Sequence, residues 1–364
     1  METSPRSTPS RHRLLVGTYT QGASGGIQVF AFDPEQERIG ERLDEVACSN
    51  PSWLVLDTTG RNVYAVHEDE TGSVSHFRLD PVSGRLRAAE RQASQGDHPT
   101  HASLASDGAH LFVANYAAGA RPGVLALLPL DEAGGLGEAR QIHRHEGGSA
   151  VEAGRQEHGH VHCVLNDPSG RYLFVCDLGA DKVFVYRYRA GEPLRPAHPP
   201  AFEAPPGSGP RHLVFSADGR RAYLTLELSG DVLVLDHADG VLGPLQRLRL
   251  APEGFHGAVG AGALHLSADG RFLYVADRGE HNHLVVYGVD PEDGTLSLLQ
   301  RRACEGQEPR EFALTPSGRA LLVANQGSDQ IRVMARDPQS GLIGETLQTV
   351  NVGAPSDLKF VSLP

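Results

Sequence analysis

The chain has 364 residues, of which 40% are hydrophobic, and its 42 glycines and 24 prolines are typical of a β-rich protein with many turns. Its formal net charge of −12 argues against a nucleic-acid partner, because neutralising phosphates requires a basic surface. No apolar run approaches the roughly 18 residues that a membrane helix needs, so we expect no membrane partner.

The first twelve residues are polar and contain no apolar stretch of the kind found in a secretory signal. We therefore expect a flexible N-terminus over residues 1–12 and a cytoplasmic protein. The four cysteines occur in apolar contexts at unrelated spacings, which is typical of reduced core cysteine and not of a disulfide framework or a zinc site. They are Cys48, Cys163, Cys176 and Cys304.

One phrase recurs along the chain: a Pro or His, an apolar segment, a Gly turn followed in most copies by Arg, and two further apolar segments. A clear copy begins Pro51-Ser-Trp-Leu-Val-Leu-Asp-Thr-Thr-Gly60-Arg61. The turn glycines are 48, 62, 49, 51 and 48 residues apart, a period that accommodates one four-stranded blade of a β-propeller. They are Gly60, Gly108, Gly170, Gly219, Gly270 and Gly318.

The number of blades follows from the two ends of the chain. Six copies of the phrase are complete, whereas residues 14–19 and 27–33 look like the second and third strands of a unit that lacks its first strand. Residues 355–361 contain the opening of the phrase without its continuation. We therefore predict an all-β fold, a single seven-bladed β-propeller domain over residues 13–364, in which the N- and C-terminal strands share one blade and close the ring.

The repeat also predicts where charged residues meet. Each turn glycine should lie between the innermost strand of a blade and the next strand, so residues equally distant from it should be neighbours across the pair. This rule pairs Arg211 with Glu227 and Gly262 with Arg278, both at the mouth of the channel farthest from the turns. Other polar residues at this mouth, or one step nearer to the turn, are His101, Tyr116, His162, Asp177, His212, Arg310 and Gln326.

The residue types in this ring favour an anion-binding site. Buried charges are costly unless they are paired or used, so packing alone explains the ring poorly. Lys182 and Lys359 are the only lysines, which leaves almost no candidates for Schiff-base chemistry. Arginines held in a fixed position, in contrast, are suited to binding a carboxylate or a phosphate. A purely structural role is hardest to assign to Arg278, because its expected cross-strand neighbour, Gly262, has no side chain that could pair with the guanidinium.

Structural interpretations remain open for several of these residues. Arg211 and Glu227 can form a cross-strand ion pair, and Asp177 can cap the turn after its strand. His158, His160 and His162 alternate, which puts them on one face if the strand extends that far. Such a His-x-His phrase can supply a pair of metal ligands, but the phrase contains no clear further ligand. We therefore expect no metal ion at this site.

A longer gap separates Gly108 from Gly170. Residues 141–157, which are rich in Gly, Glu and His, account for much of it and lead into the histidine-rich strand. We expect this segment to border the charged mouth, where it can act as a mobile cover.

Nine short phrases resemble those of the seven-bladed propeller lactonase family, which includes the propeller-type 6-phosphogluconolactonases and the fungal 3-carboxy-cis,cis-muconate lactonizing enzymes. The phrases occur in order between about residue 13 and residue 361, and the set is more specific for the family than for a substrate. They are His98-Pro-Thr-His101, Val113-Ala-Asn-Tyr116, His160-Val-His162, Asp177-Leu-Gly-Ala-Asp181, Gly209-Pro-Arg-His212, Glu227-Leu228, Arg278-Gly279, Pro309-Arg310 and Val323-Ala-Asn-Gln326.

The resemblance implies an active site at the channel mouth that uses no metal ion or other cofactor. Its implied members are a His of the His-x-His phrase, the Arg of the Pro-Arg-His phrase, the Glu that ends the second strand of that repeat, and the Arg of the Arg-Gly phrase. In this chain they are His160 or His162, Arg211, Glu227 and Arg278, which we take as the catalytic candidates. The candidates for substrate binding are His101, Tyr116, Asp177, His212, Arg310 and Gln326.

Such residues suit lactone hydrolysis, in which water is deprotonated, an oxyanion is stabilised and the ring oxygen is protonated. We interpret the chain as a 6-phosphogluconolactonase-like hydrolase of the pentose phosphate pathway, a monomer that acts on a small anionic sugar lactone. His160, His162 and Glu227 all remain candidates for moving the proton. The alternatives are a carboxymuconate cycloisomerase and a non-enzymatic interaction scaffold, and an aromatic content of 6% makes the scaffold the poorer interpretation.

Overall fold

The computed structural model describes residues 12–117 and 121–362, which form 28 β-strands and one 3₁₀ turn, Gln326–Ser328. No helix in these ranges has the length and apolar character needed to cross a bilayer. The strands are β1 His12–Thr18, β2 Gly26–Asp33, β3 Arg38–Ala47, β4 Trp53–Leu56, β5 Asn62–His67, β6 Ser73–Asp80, β7 Arg85–Ala93, β8 Pro99–Leu104, β9 His110–Asn115, β10 Gly123–Pro129, β11 Gln141–His145, β12 Val161–Asn166, β13 Tyr172–Asp177, β14 Lys182–Arg187, β15 Arg195–Glu203, β16 Pro210–Phe215, β17 Arg221–Leu226, β18 Asp231–Ala238, β19 Val241–Arg249, β20 Val259–Leu266, β21 Phe272–Gly279, β22 His283–Val289, β23 Leu296–Ala303, β24 Pro309–Leu314, β25 Ala320–Asn325, β26 Gln330–Arg336, β27 Ile343–Asn351 and β28 Pro355–Ser362.

The strands form seven four-stranded antiparallel sheets, and these are the blades of the predicted propeller. Six blades are consecutive in sequence, and the seventh has the order β28-β1-β2-β3, with Leu14 opposite Phe360 and Val16 opposite Leu358. The predicted closure by both ends of the chain is therefore confirmed. Of the expected flexible segment 1–12, only His12 is described, and it begins β1, whereas residues 1–11 lie outside the described residues.

Each turn between an innermost strand and its neighbour contains a glycine in the left-handed region. The six turn glycines predicted from the repeat have φ between +66° and +71°, a conformation that side chains with a Cβ rarely adopt. In the first of these turns the Gly60 amide donates to the Asp57 carbonyl at 3.0 Å. The repeated glycine thus marks a turn whose backbone requires it.

Hydrophobic clusters lie between neighbouring blades, because both faces of each blade are buried. In β1, Leu14 and Val16 pack against Leu322 and Ile331 of one neighbouring blade, whereas Leu15 faces the blade on the other side. Seven such clusters link the blades into a ring. All four cysteines are free thiols, and three of them are buried in strands or beside them, whereas Cys48 is half-buried and not the core residue that the sequence predicts.

Six of the seven innermost strands carry a β-bulge near the mouth of the channel. The predicted symmetric pairing is therefore wrong by two residues there: Arg278 is opposite Gly260, not Gly262, and Pro210 is opposite Leu226. The two-residue error has two sources. The turn is not centred on its glycine, which shifts the register by one residue, and the bulge shifts it by one more. The bulges fall at Thr100, His162, Arg211 with His212, Gly262 with Ala263, Arg310, and Ser356.

The shared blade generates a stability prediction. Leu358 of β28 is 3% exposed and packs against the strands that close the ring, so Leu358→Ala should lower the free energy of unfolding by about 2–4 kcal/mol. Urea denaturation followed by tryptophan fluorescence and circular dichroism measures this change. Leu299→Ala, at a 43% exposed position on the outer strand β23, is the control and should change it by less than about 0.5 kcal/mol. Equal effects of the two substitutions would contradict a closure that depends on β28.

Candidate active site

Glu227, which follows β17, is the centre of the charged mouth. Its Oε2 accepts a hydrogen bond from Arg211 Nε at 2.8 Å and forms an ion pair with Arg278 Nη2 at 2.9 Å. Its Oε1 accepts one from Arg155 Nη2 at 2.7 Å. The structure thus brings together three of the residues predicted from the sequence and adds Arg155, which the sequence analysis did not identify.

The cluster carries an excess of positive charge. Burial alone would raise the pKa of the Glu227 carboxyl, but Arg278 and Arg211, together with Arg155, hold that pKa well below its usual range. Burial and the neighbouring Arg278 lower the pKa of Arg211 to about 9, so this guanidinium is still a cation at neutral pH. One carboxylate therefore faces three guanidiniums, and the arrangement favours a bound anion.

His162 is a buried, neutral imidazole beside this cluster. Its ring centroid lies 5.2 Å from that of His212 and 5.7 Å from that of Tyr116. Burial and the positive charge of Arg211 lower the pKa of His162 well below its usual value. Its Nδ1 is buried and has no hydrogen-bond partner among the described residues, so this nitrogen can accept a proton.

His160 has a different environment, although it is the other histidine of the His-x-His phrase. Its Nδ1 donates to the Tyr116 carbonyl oxygen at 2.9 Å, and its ring stacks on that of Tyr116 at 4.4 Å. The Tyr116 hydroxyl in turn accepts from Arg155 Nη2 at 3.2 Å. His160 thus orients Tyr116, whose hydroxyl lies at the edge of the charged cluster.

Arg310 forms a second polar group with two residues that are not among the predicted site residues. Its Nη2 donates to the Tyr19 hydroxyl at 2.7 Å and lies 3.8 Å from Glu68 Oε2, and the Tyr19 hydroxyl donates to the same carboxylate at 2.7 Å. Tyr19 follows β1 and Glu68 follows β5, which is the position that Glu227 occupies after β17. Applying the repeat to the incomplete first unit would have identified Tyr19.

The predicted residues His101 and His212 form a layer with Trp53 on the turn side of the charged cluster. The rings of His101 and Trp53 lie 4.4 Å apart, and those of His101 and His212 lie 5.5 Å apart. Arg211 Nη1 donates to His212 Nε2 at 3.2 Å. This layer of rings therefore packs against Arg211 on the turn side and helps to hold its side chain in place.

Asp177 and Gln326 are not brought into the cluster. The Asp177 carboxylate accepts from the backbone amides of His160 at 2.7 Å and Ala180 at 3.0 Å and from His145 Nδ1 at 2.9 Å, so it fixes the entry to β12. The backbone N–H of Gln326 donates to the Glu308 carbonyl at 3.0 Å. Within the described ranges the Gln326 side chain makes no hydrogen bond. No group of three or more His, Cys, Asp or Glu residues in those ranges has an arrangement that could hold a metal ion.

The segment 141–157 divides into two parts. Gln141–His145 pairs with β10 as the outermost strand of its blade, so this part does not border the mouth as the sequence analysis expects of the whole segment. The remainder reaches the mouth, where Arg155 contacts Glu227. Gln156 anchors this part, since its Nε2 donates to the Leu178 carbonyl at 2.9 Å and to Asp181 Oδ1 at 2.8 Å. Its role as a mobile cover stays a prediction.

Comparisons with known proteins agree with this fold. The family model described as "Lactonase, 7-bladed beta-propeller" matches residues 13–360. The chain is 31% identical over 349 residues to a 6-phosphogluconolactonase of Bacillus subtilis (strain 168), covering 95% of this chain and 97% of that protein. It is also 31% identical over 355 residues to a 6-phosphogluconolactonase of Formosa agariphila, covering 95% and 99%.

Among solved structures, the periplasmic gluconolactonase PpgL of Pseudomonas aeruginosa is similar over 97% of this chain and 99% of its own, with a TM-score of 0.94 and 52% identity. Its similarity therefore extends over all seven blades. Because the family model spans nearly the whole chain and two relatives exceed 30% identity, the chain belongs to the seven-bladed β-propeller lactonase family.

Proposed function

We propose that this protein hydrolyses a sugar δ-lactone, with 6-phosphoglucono-δ-lactone as the leading substrate. The observation that carries the proposal is the placement of a buried neutral His162 beside a carboxylate that is shared by Arg155, Arg211 and Arg278. The names of the Bacillus subtilis and Formosa agariphila relatives support it. The cytoplasm is the compartment we propose, although the similar Pseudomonas aeruginosa protein is named periplasmic.

The geometry allows a different residue to perform each step of the hydrolysis. His162 accepts a proton from the attacking water, because its imidazole is neutral and its Nδ1 is unpartnered among the described residues. Arg211 and Arg278 stabilise the oxyanion that forms on the lactone carbonyl. Both oxygens of the Glu227 carboxylate are engaged by arginines, so Glu227 holds the guanidiniums in place and His162 is the better situated base.

The half-exposed Arg155 is well situated for a phosphate remote from the reacting carbonyl. Its side chain is 44% exposed at the mouth and its guanidinium already binds one carboxylate, so it has the chemistry and the access that a phosphate requires. A second candidate substrate is the unphosphorylated glucono-δ-lactone, which the 52% identity to a gluconolactonase favours. Arg155 is the residue whose contribution should differ between the two substrates.

Removing Arg278 tests the oxyanion site. Arg278→Ala should reduce kcat/KM for lactone hydrolysis by roughly 10²- to 10³-fold, since one preorganised donor to the oxyanion is lost. Steady-state assays and melting temperatures should be measured on the same preparations. The control is Arg171→Ala, an exposed arginine paired with Asp239 near the turn side of its blade, which should leave kcat/KM unchanged. An Arg278→Ala variant with normal activity would refute the proposed site.

The lowered pKa of His162 generates a pH prediction. A base must be unprotonated, and a pKa below the usual 6.5 keeps His162 unprotonated under mildly acidic conditions, so kcat/KM should stay constant from pH 8 to 6.5 and fall only below that. Initial rates at constant ionic strength measure this profile. His162→Gln should remove the acidic limb together with most of the activity. A limb centred near pH 7 would point to another group, such as Asp277, whose pKa burial raises to about 7.

A further inference from the structure

A small, partly enclosed cavity lies in the channel immediately on the turn side of the charged cluster. Arg211, Arg310 and His162 line it together with Ser52 and Glu311. It has room for about one water molecule. Because two arginines of the anion-binding mouth form part of its wall, the cavity is contiguous with the proposed lactone site.

Several polar groups around this cavity already have partners. The Thr100 hydroxyl donates to the His162 carbonyl at 3.3 Å, and the Ser356 hydroxyl donates to the Ser52 carbonyl at 3.0 Å. The indole nitrogen of Trp53 donates to the Ala102 carbonyl at 3.0 Å. These side chains are therefore committed to the protein backbone.

Three other residues of the wall carry buried polar atoms that have no hydrogen-bond partner among the described residues: Ser52 Oγ, His162 Nδ1 and Glu311 Oε2. Leaving a buried polar atom unpaired costs about 1–3 kcal/mol, so three around one cavity point to a common ligand. A hydroxyl, an imidazole nitrogen and a carboxylate oxygen together match the two donors and two acceptors of a water molecule.

Glu311 is held so that one oxygen remains available. His265 Nε2 donates to its Oε1 at 2.6 Å, and the Phe312 amide donates to the same oxygen at 2.9 Å. Burial would raise the pKa of this carboxyl, but His265 and Lys359 hold the pKa below its usual range, so the group is an anion. Both partners occupy Oε1, which leaves Oε2 free to accept a hydrogen bond.

We propose that this cavity binds the hydrolytic water, that Glu311 and Ser52 orient it, and that His162 Nδ1 takes its proton. The inference rests on the proposed lactonase function and adds Glu311 and Ser52 to the catalytic machinery. Glu311 accepts one hydrogen of the water while Ser52 donates to the water oxygen, which directs the remaining lone pair toward the mouth and the second hydrogen toward His162.

The reaction then balances without any further reagent. The water oxygen bonds to the lactone carbonyl carbon as one water proton passes to His162, and the carbonyl π electrons become an oxyanion near Arg211 and Arg278. When the carbonyl re-forms, the ring C–O bond breaks and the ring oxygen takes the proton from His162. The product is a hydroxy acid, which ionises at neutral pH and releases one proton to solvent.

Two substitutions test the water site through kinetics. Glu311→Gln should lower kcat by about 10²-fold, the scale of general acid–base assistance, and should leave KM within about twofold because the arginines that bind the lactone are unchanged. Ser52→Ala removes one hydrogen bond to the water and should lower kcat by about tenfold with the same KM. A merely structural role would instead lower the melting temperature and leave the kcat of the folded protein unchanged.

The matched control is Glu37→Gln. Glu37 is also buried with an unpartnered Oε2 among the described residues, but it contacts Arg319 and Ser317 at the turn side of the shared blade, far along the strands from the mouth. This variant should keep the wild-type kcat. A crystal structure of the wild-type protein should contain a water within hydrogen-bond distance of His162 Nδ1 and Glu311 Oε2, and that water should be lost or displaced in Glu311→Gln.

Wild-type kcat in folded Glu311→Gln, or a crystal structure in which no water bridges these atoms, overturns this inference alone. A wild-type protein that hydrolyses none of the lactones overturns the proposed function, and this inference with it. Activity in the wild type with loss of kcat in Glu311→Gln and Ser52→Ala, and not in Glu37→Gln, supports both.

Discussion

The β-bulge near the mouth of the innermost strands is the feature on which the site depends. In an unbroken strand, successive side chains point to opposite faces, so neighbours in sequence cannot both face the channel. The bulge in β16 allows Arg211 and His212 to line the same cavity, and the bulge in β24 does so for Arg310 and Glu311. Each of these two strands thereby places two polar side chains at the cavity where regular geometry would place one.

The charges gathered in this way require a common partner. Guanidiniums from the bulged strand β16, from the end of β21 and from the loop before β12 all bind Glu227, and without that carboxylate their mutual repulsion and desolvation would be unfavourable. The same contacts engage both oxygens of Glu227, whereas His162 Nδ1 has no hydrogen-bond partner among the described residues, and we therefore propose His162 as the base. The contacts of Glu227 therefore both hold the three guanidiniums together and favour His162 as the base.

Much of the fold could be predicted from the sequence, because the glycine of each turn and the apolar segments around it are local signals that repeat. The site could be predicted only in part. The meeting of Arg211, Glu227 and Arg278 could be predicted because these residues occur at the ends of repeated strands. The strand pairing there was predicted wrongly, since a bulge leaves no mark in the alternation of apolar and polar residues. Arg155 lies in a non-repeating loop, and Glu311 lies within a strand that otherwise looks like core. Asp177 had the expected position along its strand, yet its carboxylate binds the backbone at the entry to β12.

We infer that the charged mouth is where a sugar lactone is hydrolysed. The most direct measurement is kcat/KM of the purified protein for 6-phosphoglucono-δ-lactone, glucono-δ-lactone and carboxymuconolactone, each corrected for spontaneous hydrolysis. We expect hydrolysis of both sugar lactones, with the phosphorylated one preferred. Turnover of carboxymuconolactone alone, or of none of the three, would contradict it.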